Sequence, residues 1–105
     1  MSQPLKQVGF WREFTLFDQR PDPRDLVDER WHPAQRAEVV AHLKAGRELE
    51  AYFGTSTCRI CGCRNGHQDL TDGTYVWPSG YAHYVEVHGV KPPADFIAHC
   101  LRERR

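Results

Sequence analysis

Hydrophobic and polar residues follow two different periods in the first half of this chain. Between Pro33 and Gly46, apolar side chains recur at the three- and four-residue spacing of an α-helix. Pro33 suits the first turn of such a helix, and Gly46 suits a left-handed cap after its end. Over residues 49–53, apolar and polar positions alternate with a period of two. The pattern therefore predicts a helix followed by an extended strand.

The segment before this helix is rich in aromatic side chains and interrupted by prolines. The aromatic residues are Phe10, Trp11, Phe14, Phe17 and Trp31. Asp22 followed by Pro23 is typical of a helix N-cap with proline at the first helical position, which predicts a short helix to about Arg30. We therefore expect N-terminal helices that pack on a small antiparallel sheet.

The C-terminal half begins with a hairpin signal and continues with helices. The Asp-Gly pair within residues 71–74 favours a tight turn, with a return strand over residues 75–77. Ser79 is placed to cap a helix over residues 80–88, and Gly89 is placed to end it. A last helix follows two prolines and carries one apolar stripe. The members of that stripe are Phe96, Ile97, Cys100 and Leu101.

Length and charge narrow the class of protein. A chain of 105 residues fits a single domain, here 1–105, and predicts an α+β fold. The formal net charge is zero, which argues against a dedicated nucleic-acid binder, because phosphate contacts require a basic excess. We find neither a signal peptide nor an apolar stretch long enough for a membrane helix, so we expect a cytoplasmic protein with no membrane partner. In that compartment, four cysteines are more typical of thiols or metal ligands than of disulfides.

The strongest chemical motif is a cysteine knuckle followed by a histidine pair. Cys58 and Cys61 have two residues between them, and Gly62 follows in a position that lets the backbone turn back. Two such thiolates supply half of a tetrahedral zinc site. His83 and His88 supply the other half, because their spacing falls within the range of zinc fingers and they come in finger order. We predict a Zn²⁺ site made by these four residues, in an enlarged knuckle–hairpin–helix arrangement.

Several other residues are competing candidates for the metal. Cys63 could replace either knuckle thiolate, and His67 could approach from a glycine-flanked loop. Cys100 is expected to be a buried core residue, because it belongs to the apolar stripe. His99 is expected to be solvated, and neither His32 nor His42 shows a partner in the sequence.

Four good ligands favour a structural zinc over a catalytic one, which usually keeps one position open. The spacing from His83 through Glu86 to His88 matches neither of the common zinc-protease patterns. Glu86, Asp69 or Asp72 could act as a general base if one ligand were absent. The aromatic residues Trp77, Tyr81 and Tyr84 are expected in the core, with an exposed partner-binding patch as the alternative.

The motifs together resemble a family of small uncharacterised bacterial proteins. The resemblance rests on C-R-x-C-G at residues 58–62, on T-D-G-x-Y-x-W-P at 71–78 and on A-H-Y-V-x-x-H at 82–88. It implies a bacterial cytoplasmic protein and adds no mechanism. The ligand order is also distantly similar to that of zinc fingers. We expect a protein-binding, adaptor or regulatory module with a structural zinc; the alternatives are a zinc-dependent hydrolase and a nucleic-acid-binding regulator.

Overall fold

The structure, a computed structural model, describes residues 4–12 and 20–103. The aromatic residues Phe14 and Phe17 lie outside the described residues, as do the last two arginines. These residues form an α+β fold with four strands, three α-helices and a short 3-10 helix. In chain order these are β1 (Lys6–Gln7), the 3-10 helix (Pro23–Leu26), α1 (Pro33–Lys44), β2 (Arg47–Thr57), β3 (Arg64–Thr71), β4 (Tyr75–Pro78), α2 (Tyr81–His88) and α3 (Ala94–Glu103).

The four strands form one mixed sheet in the order β1-β4-β3-β2. The β2–β3 and β3–β4 pairs are antiparallel, but β1 runs parallel to β4. The backbone N–H of Lys6 donates to the carbonyl of Thr74 at 2.9 Å, and that of Val8 donates to Val76 at 3.1 Å. The prediction of a purely antiparallel sheet was therefore wrong, because the N-terminal segment adds a parallel edge strand.

The prediction of N-terminal helices was also wrong. Asp22 does cap a helix, since its side chain accepts a hydrogen bond from the backbone of Arg24, but that 3-10 helix ends at Leu26. Val27 is extended and pairs with Val90 in an isolated antiparallel bridge. This pairing with the C-terminal half outweighs the local helix signal. Among the described residues, the first α-helix is consequently the central α1.

The boundaries of α1 and α2 follow the sequence prediction, but two of their predicted caps do not. Gly89 ends α2 in the left-handed conformation, with φ 67°, as expected. Gly46 does not cap α1, because its φ is not positive; a Cβ there would lie 2.7 Å from the Trp77 ring. Ser79 does not cap α2 either, and its hydroxyl accepts a hydrogen bond from the backbone of His67 at 3.2 Å.

The core lies between the helices and the sheet. Trp77 on β4 is completely buried, and its indole N–H donates to the carbonyl of Leu43 in α1 at 3.3 Å. Helix α1 contacts both α2 and α3. Trp77, Tyr81 and Tyr84 all belong to this core, which confirms the expectation of packing and leaves no exposed aromatic patch at these three residues.

Candidate metal centre

The cysteine knuckle is the turn that connects β2 with β3. Its ends are joined by the backbone N–H of Cys58, which donates to the carbonyl of Cys63 at 2.8 Å. Inside the turn, the N–H of Gly62 donates to the carbonyl of Cys58, also at 2.8 Å, and Gly62 has a φ of 79°. Few residues other than glycine adopt this φ without strain. The N–H of Ile60 points at the Cys58 sulfur, 3.4 Å away. Hydrogen bonds from its own backbone N–H groups therefore hold the knuckle in shape.

The two histidines reach the knuckle from α2. Nε2 of His83 lies 3.4 Å from the Cys61 sulfur and 3.3 Å from the Cys63 sulfur. The ring centroids of His83 and His88 are 5.1 Å apart. His83 lies in the first turn of α2 and His88 is its last residue, before the Gly89 cap. Between the cysteines and the histidines in sequence, the β3–β4 hairpin brings the chain back so that α2 lies beside the knuckle.

The structure brings together one ligand atom each from Cys58, Cys61, His83 and His88, all within 4.8 Å of one another. Zinc binds thiolate sulfur at about 2.3 Å and imidazole nitrogen at about 2.0 Å, so tetrahedral donors are separated by roughly 3.3–3.8 Å. The separation of 3.4 Å between Nε2 of His83 and the Cys61 sulfur falls within this range, and the other donors lie no more than 4.8 Å apart. Two thiolates with two imidazoles form a donor set that suits zinc.

His88 supplies an independent sign of a missing partner. Its Nε2 is buried, and within the described residues it makes no regular hydrogen bond. Buried polar atoms of this kind normally have a partner, because leaving one unsatisfied costs about 1–3 kcal/mol. A metal ion bound through Nε2 of His88 would give this nitrogen a partner.

The electrostatics of the knuckle favour a thiolate at Cys61. Its pKa is lowered to about 5, chiefly by the backbone hydrogen bond within the Cys63 turn, then by the Cys63 thiol and by the His88 and His83 rings. The pKa of Cys63 moves the other way and is raised, first by its contact with Cys61. The thiolate is the form that binds a metal, so these contacts prepare the knuckle for one.

The competing candidates for metal ligands differ in their distance from the cluster. Cys63 remains close, with its sulfur 3.2 Å from that of Cys61. His67 lies exposed on β3, outside the cluster. Cys100 is buried in α3, as expected for a core residue, and burial raises its pKa to about 12. Only Cys63 therefore competes with the four predicted ligands on grounds of distance.

None of the three carboxylates considered as a general base, Glu86, Asp69 and Asp72, belongs to the Cys/His cluster. Glu86 is half exposed, and it forms an ion pair with Lys44 of α1 at 3.1 Å. Its backbone carbonyl also accepts a hydrogen bond from the side chain of Arg36. A cavity of about 380 Å³ beside Glu86 is lined by α1 residues and not by the cysteines or histidines. Asp69 lies on β3, opposite Pro78 of β4.

A second polar cluster was missed by the sequence analysis. Nε2 of His42 and Nε2 of His99 each lie 2.7 Å from the same oxygen, Oδ2 of Asp72. The expectation that His99 is solvated was wrong, since it is 7% exposed. A signal was present: His42 follows Val39 by three residues and His99 follows Phe96 by three, which places both histidines on apolar helix faces.

Comparison of the chain with protein-family models, with curated proteins and with solved structures finds no match. The resemblance to a bacterial family therefore stays a prediction. Within the described residues, the helices are too short and too polar to cross a membrane. Any proposal for the function therefore rests on the Cys/His cluster.

Proposed function

We propose that this chain is a small zinc-binding module whose zinc is structural, held by Cys58, Cys61, His83 and His88. The observation that carries the proposal is the convergence of these four donors within 4.8 Å. They come from two places that are distant in sequence, the β2–β3 turn and helix α2. An ion bound there would join the sheet to the helix that follows it.

A structural role is supported by the number and setting of the donors. Four protein ligands complete a tetrahedron and leave no position for substrate. Cys58 is 1% exposed, so one ligand lies inside the core. Cys63 is exposed, and its sulfur lies 3.3 Å from Nε2 of His83. These features favour a closed site over the hydrolytic alternative.

We further propose that the module acts by binding a protein partner. A nucleic-acid role is disfavoured by the zero net charge. The helix that carries the histidines buries Tyr81, Tyr84 and Val85, and its exposed residues are the acidic Glu86 and the apolar Val87, which do not suit contact with phosphates. Binding of RNA or DNA with a steep dependence on salt concentration would overturn this part of the proposal.

The zinc proposal is tested by elemental analysis of purified protein and its variants. We expect Cys58→Ser and His83→Ala to lose one equivalent of zinc relative to the wild type. Cys100→Ala and His67→Ala are the matched controls, because each removes the same kind of side chain outside the cluster, and both should retain it. Retention of zinc by Cys63→Ser would support the assigned set; its loss would move Cys63 into the site.

The structural role is tested by unfolding with and without a chelator. Structural zinc contributes apparent binding free energies of about 10–16 kcal/mol in small finger peptides, and this energy becomes folding free energy. We therefore expect chelation of the wild type to abolish the cooperative transition of the C-terminal half. If chelated protein melts like the zinc-loaded protein, the zinc is not structural.

A further inference from the structure

The His42–Asp72–His99 cluster joins three separate elements at one buried point. His42 comes from α1, Asp72 from the β3–β4 turn and His99 from α3. Their side chains are only 9%, 12% and 9% exposed. No element of the Cys/His centre contributes to this cluster, so the two sites are independent in the fold.

The two carboxylate oxygens of Asp72 have different partners. Oδ1 accepts hydrogen bonds from the backbone N–H groups of Thr74 at 2.9 Å and Tyr75 at 2.8 Å, which close the hairpin turn. Oδ2 is left to face the two imidazoles. Backbone hydrogen bonds to one oxygen fix the direction of the other, which is how outer contacts orient a metal-binding carboxylate.

We propose that Nε2 of His42, Nε2 of His99 and Oδ2 of Asp72 form a second metal site, for a divalent first-row transition ion such as Zn²⁺. These three donor atoms lie within 4.8 Å of one another. Two imidazoles and one carboxylate suit zinc and its neighbours in the first row. Three protein ligands leave at least one coordination position for water or another small oxygen ligand.

The fit requires only a small movement. Donors about 2.1 Å from one ion are separated by roughly 3.0–3.4 Å, for angles between octahedral and tetrahedral. The observed N–O separations of 2.7 Å must therefore widen by a few tenths of an ångström. His42 belongs to α1 and His99 to α3, so different helices hold the two rings.

Aromatic rings enclose the cluster and limit its contact with water. The Trp77 and Phe96 rings lie 5.8 and 6.2 Å from the His42 ring, and Tyr75 lies 4.9 Å from the His99 ring. An apolar shell of this kind strengthens the attraction between an ion and its ligands. The alternative to a metal site is a metal-free triad, in which the Nε2–H groups of both histidines donate hydrogen bonds to Oδ2 of Asp72.

The first test compares metal content after saturation with Zn²⁺ and dialysis. Asp72→Asn keeps an oxygen for the turn and removes the charge, and we expect it to hold one ion fewer than the wild type. Asp25→Asn, an exposed carboxylate on the 3-10 helix, is the matched control and should hold the wild-type amount. Equal metal content in the folded wild type and the folded Asp72→Asn variant would overturn the proposal.

A second test needs no variant and decides the matter if Asp72→Asn does not fold. Nitrogen-detected NMR of the histidine rings in the zinc-saturated wild type reports which ring nitrogen carries hydrogen. A metal site requires Nε2 of His42 and His99 to be without hydrogen. A hydrogen-bonded triad requires hydrogen on both. Finding Nε2–H on both rings in zinc-saturated protein would sink the proposal even if the Cys/His centre is loaded.

Discussion

The hydroxyl of Tyr84 links helix α2 to the cysteine knuckle, and its removal tests whether this contact supports the metal centre. It accepts a hydrogen bond from the backbone N–H of Arg59 at 2.8 Å, directly after the ligand Cys58. It also lies within hydrogen-bonding reach of the Cys58 thiol. Tyr84 is 4% exposed, so water cannot easily replace the hydroxyl. Tyr84→Phe removes this oxygen and leaves the ring in place.

The size of the effect follows from the groups left without a partner. A buried N–H that loses its acceptor costs about 1–3 kcal/mol. The N–H of Arg59 is only partly buried, so we expect the lower part of that range, about 1–2 kcal/mol. For a domain of this size, that loss lowers the melting temperature by about 5–15 °C. Loss of a residue that orients a metal ligand also weakens metal binding, typically by about 10–100-fold.

The assay is thermal unfolding of zinc-loaded protein, together with competition for zinc by a chelator. Tyr81→Phe is the matched control. It also removes a hydroxyl from α2, but the Tyr81 hydroxyl does not contact the knuckle. We expect Tyr84→Phe to melt earlier and to release zinc at a lower chelator concentration than Tyr81→Phe. Identical behaviour of the two variants would refute the view that α2 orients the knuckle through this hydroxyl.

Two further outcomes follow from the hairpin and its surroundings. Gly66→Ala should destabilise the fold by about 1–3 kcal/mol, because a Cβ would lie 2.3 Å from the Ser79 hydroxyl and 2.7 Å from the Gly80 nitrogen. Adding Ser79→Ala should restore only part of this stability in urea unfolding, and full restoration would contradict the backbone clash with Gly80. In the metal-free protein, burial alone would raise the pKa of Asp72, but hydrogen bonds from Tyr75, His42, Thr74 and His99 outweigh it and lower the pKa from 3.8 to about 2. In that metal-free state the stability from Asp72 is fully present above pH 3.8 and is lost as pH falls towards 2. Metal-free wild type and metal-free Asp72→Asn should therefore converge in acid unfolding, and a constant gap would contradict this.

Local chemistry was enough to predict the hairpin and the helices that follow it. The Asp-Gly turn, the Gly89 cap and the apolar stripe of α3 are all encoded within a few residues. The meeting of Cys58 and Cys61 with His83 and His88 was also predictable, because the ligand types and their order point to one ion.

The parallel strand β1 and the His42–Asp72–His99 cluster could not be predicted from local sequence. Strand β1 is two residues long and exposed, so it has no pattern of its own and exists through its pairing with β4. His42 and His99 lie far apart in sequence, and only the packing of α1 and α3 around the hairpin brings them to Asp72. Long-range packing decided both features.

The most direct test of the Cys/His centre is X-ray absorption at the zinc edge, on protein loaded with one equivalent of zinc. Our account requires two sulfur neighbours at about 2.3 Å and two nitrogen neighbours at about 2.0 Å. Cys58→Ser should lose one sulfur neighbour or lose the zinc altogether. A spectrum with three sulfur neighbours would place Cys63 among the ligands. A spectrum with only nitrogen and oxygen neighbours would contradict the proposed centre.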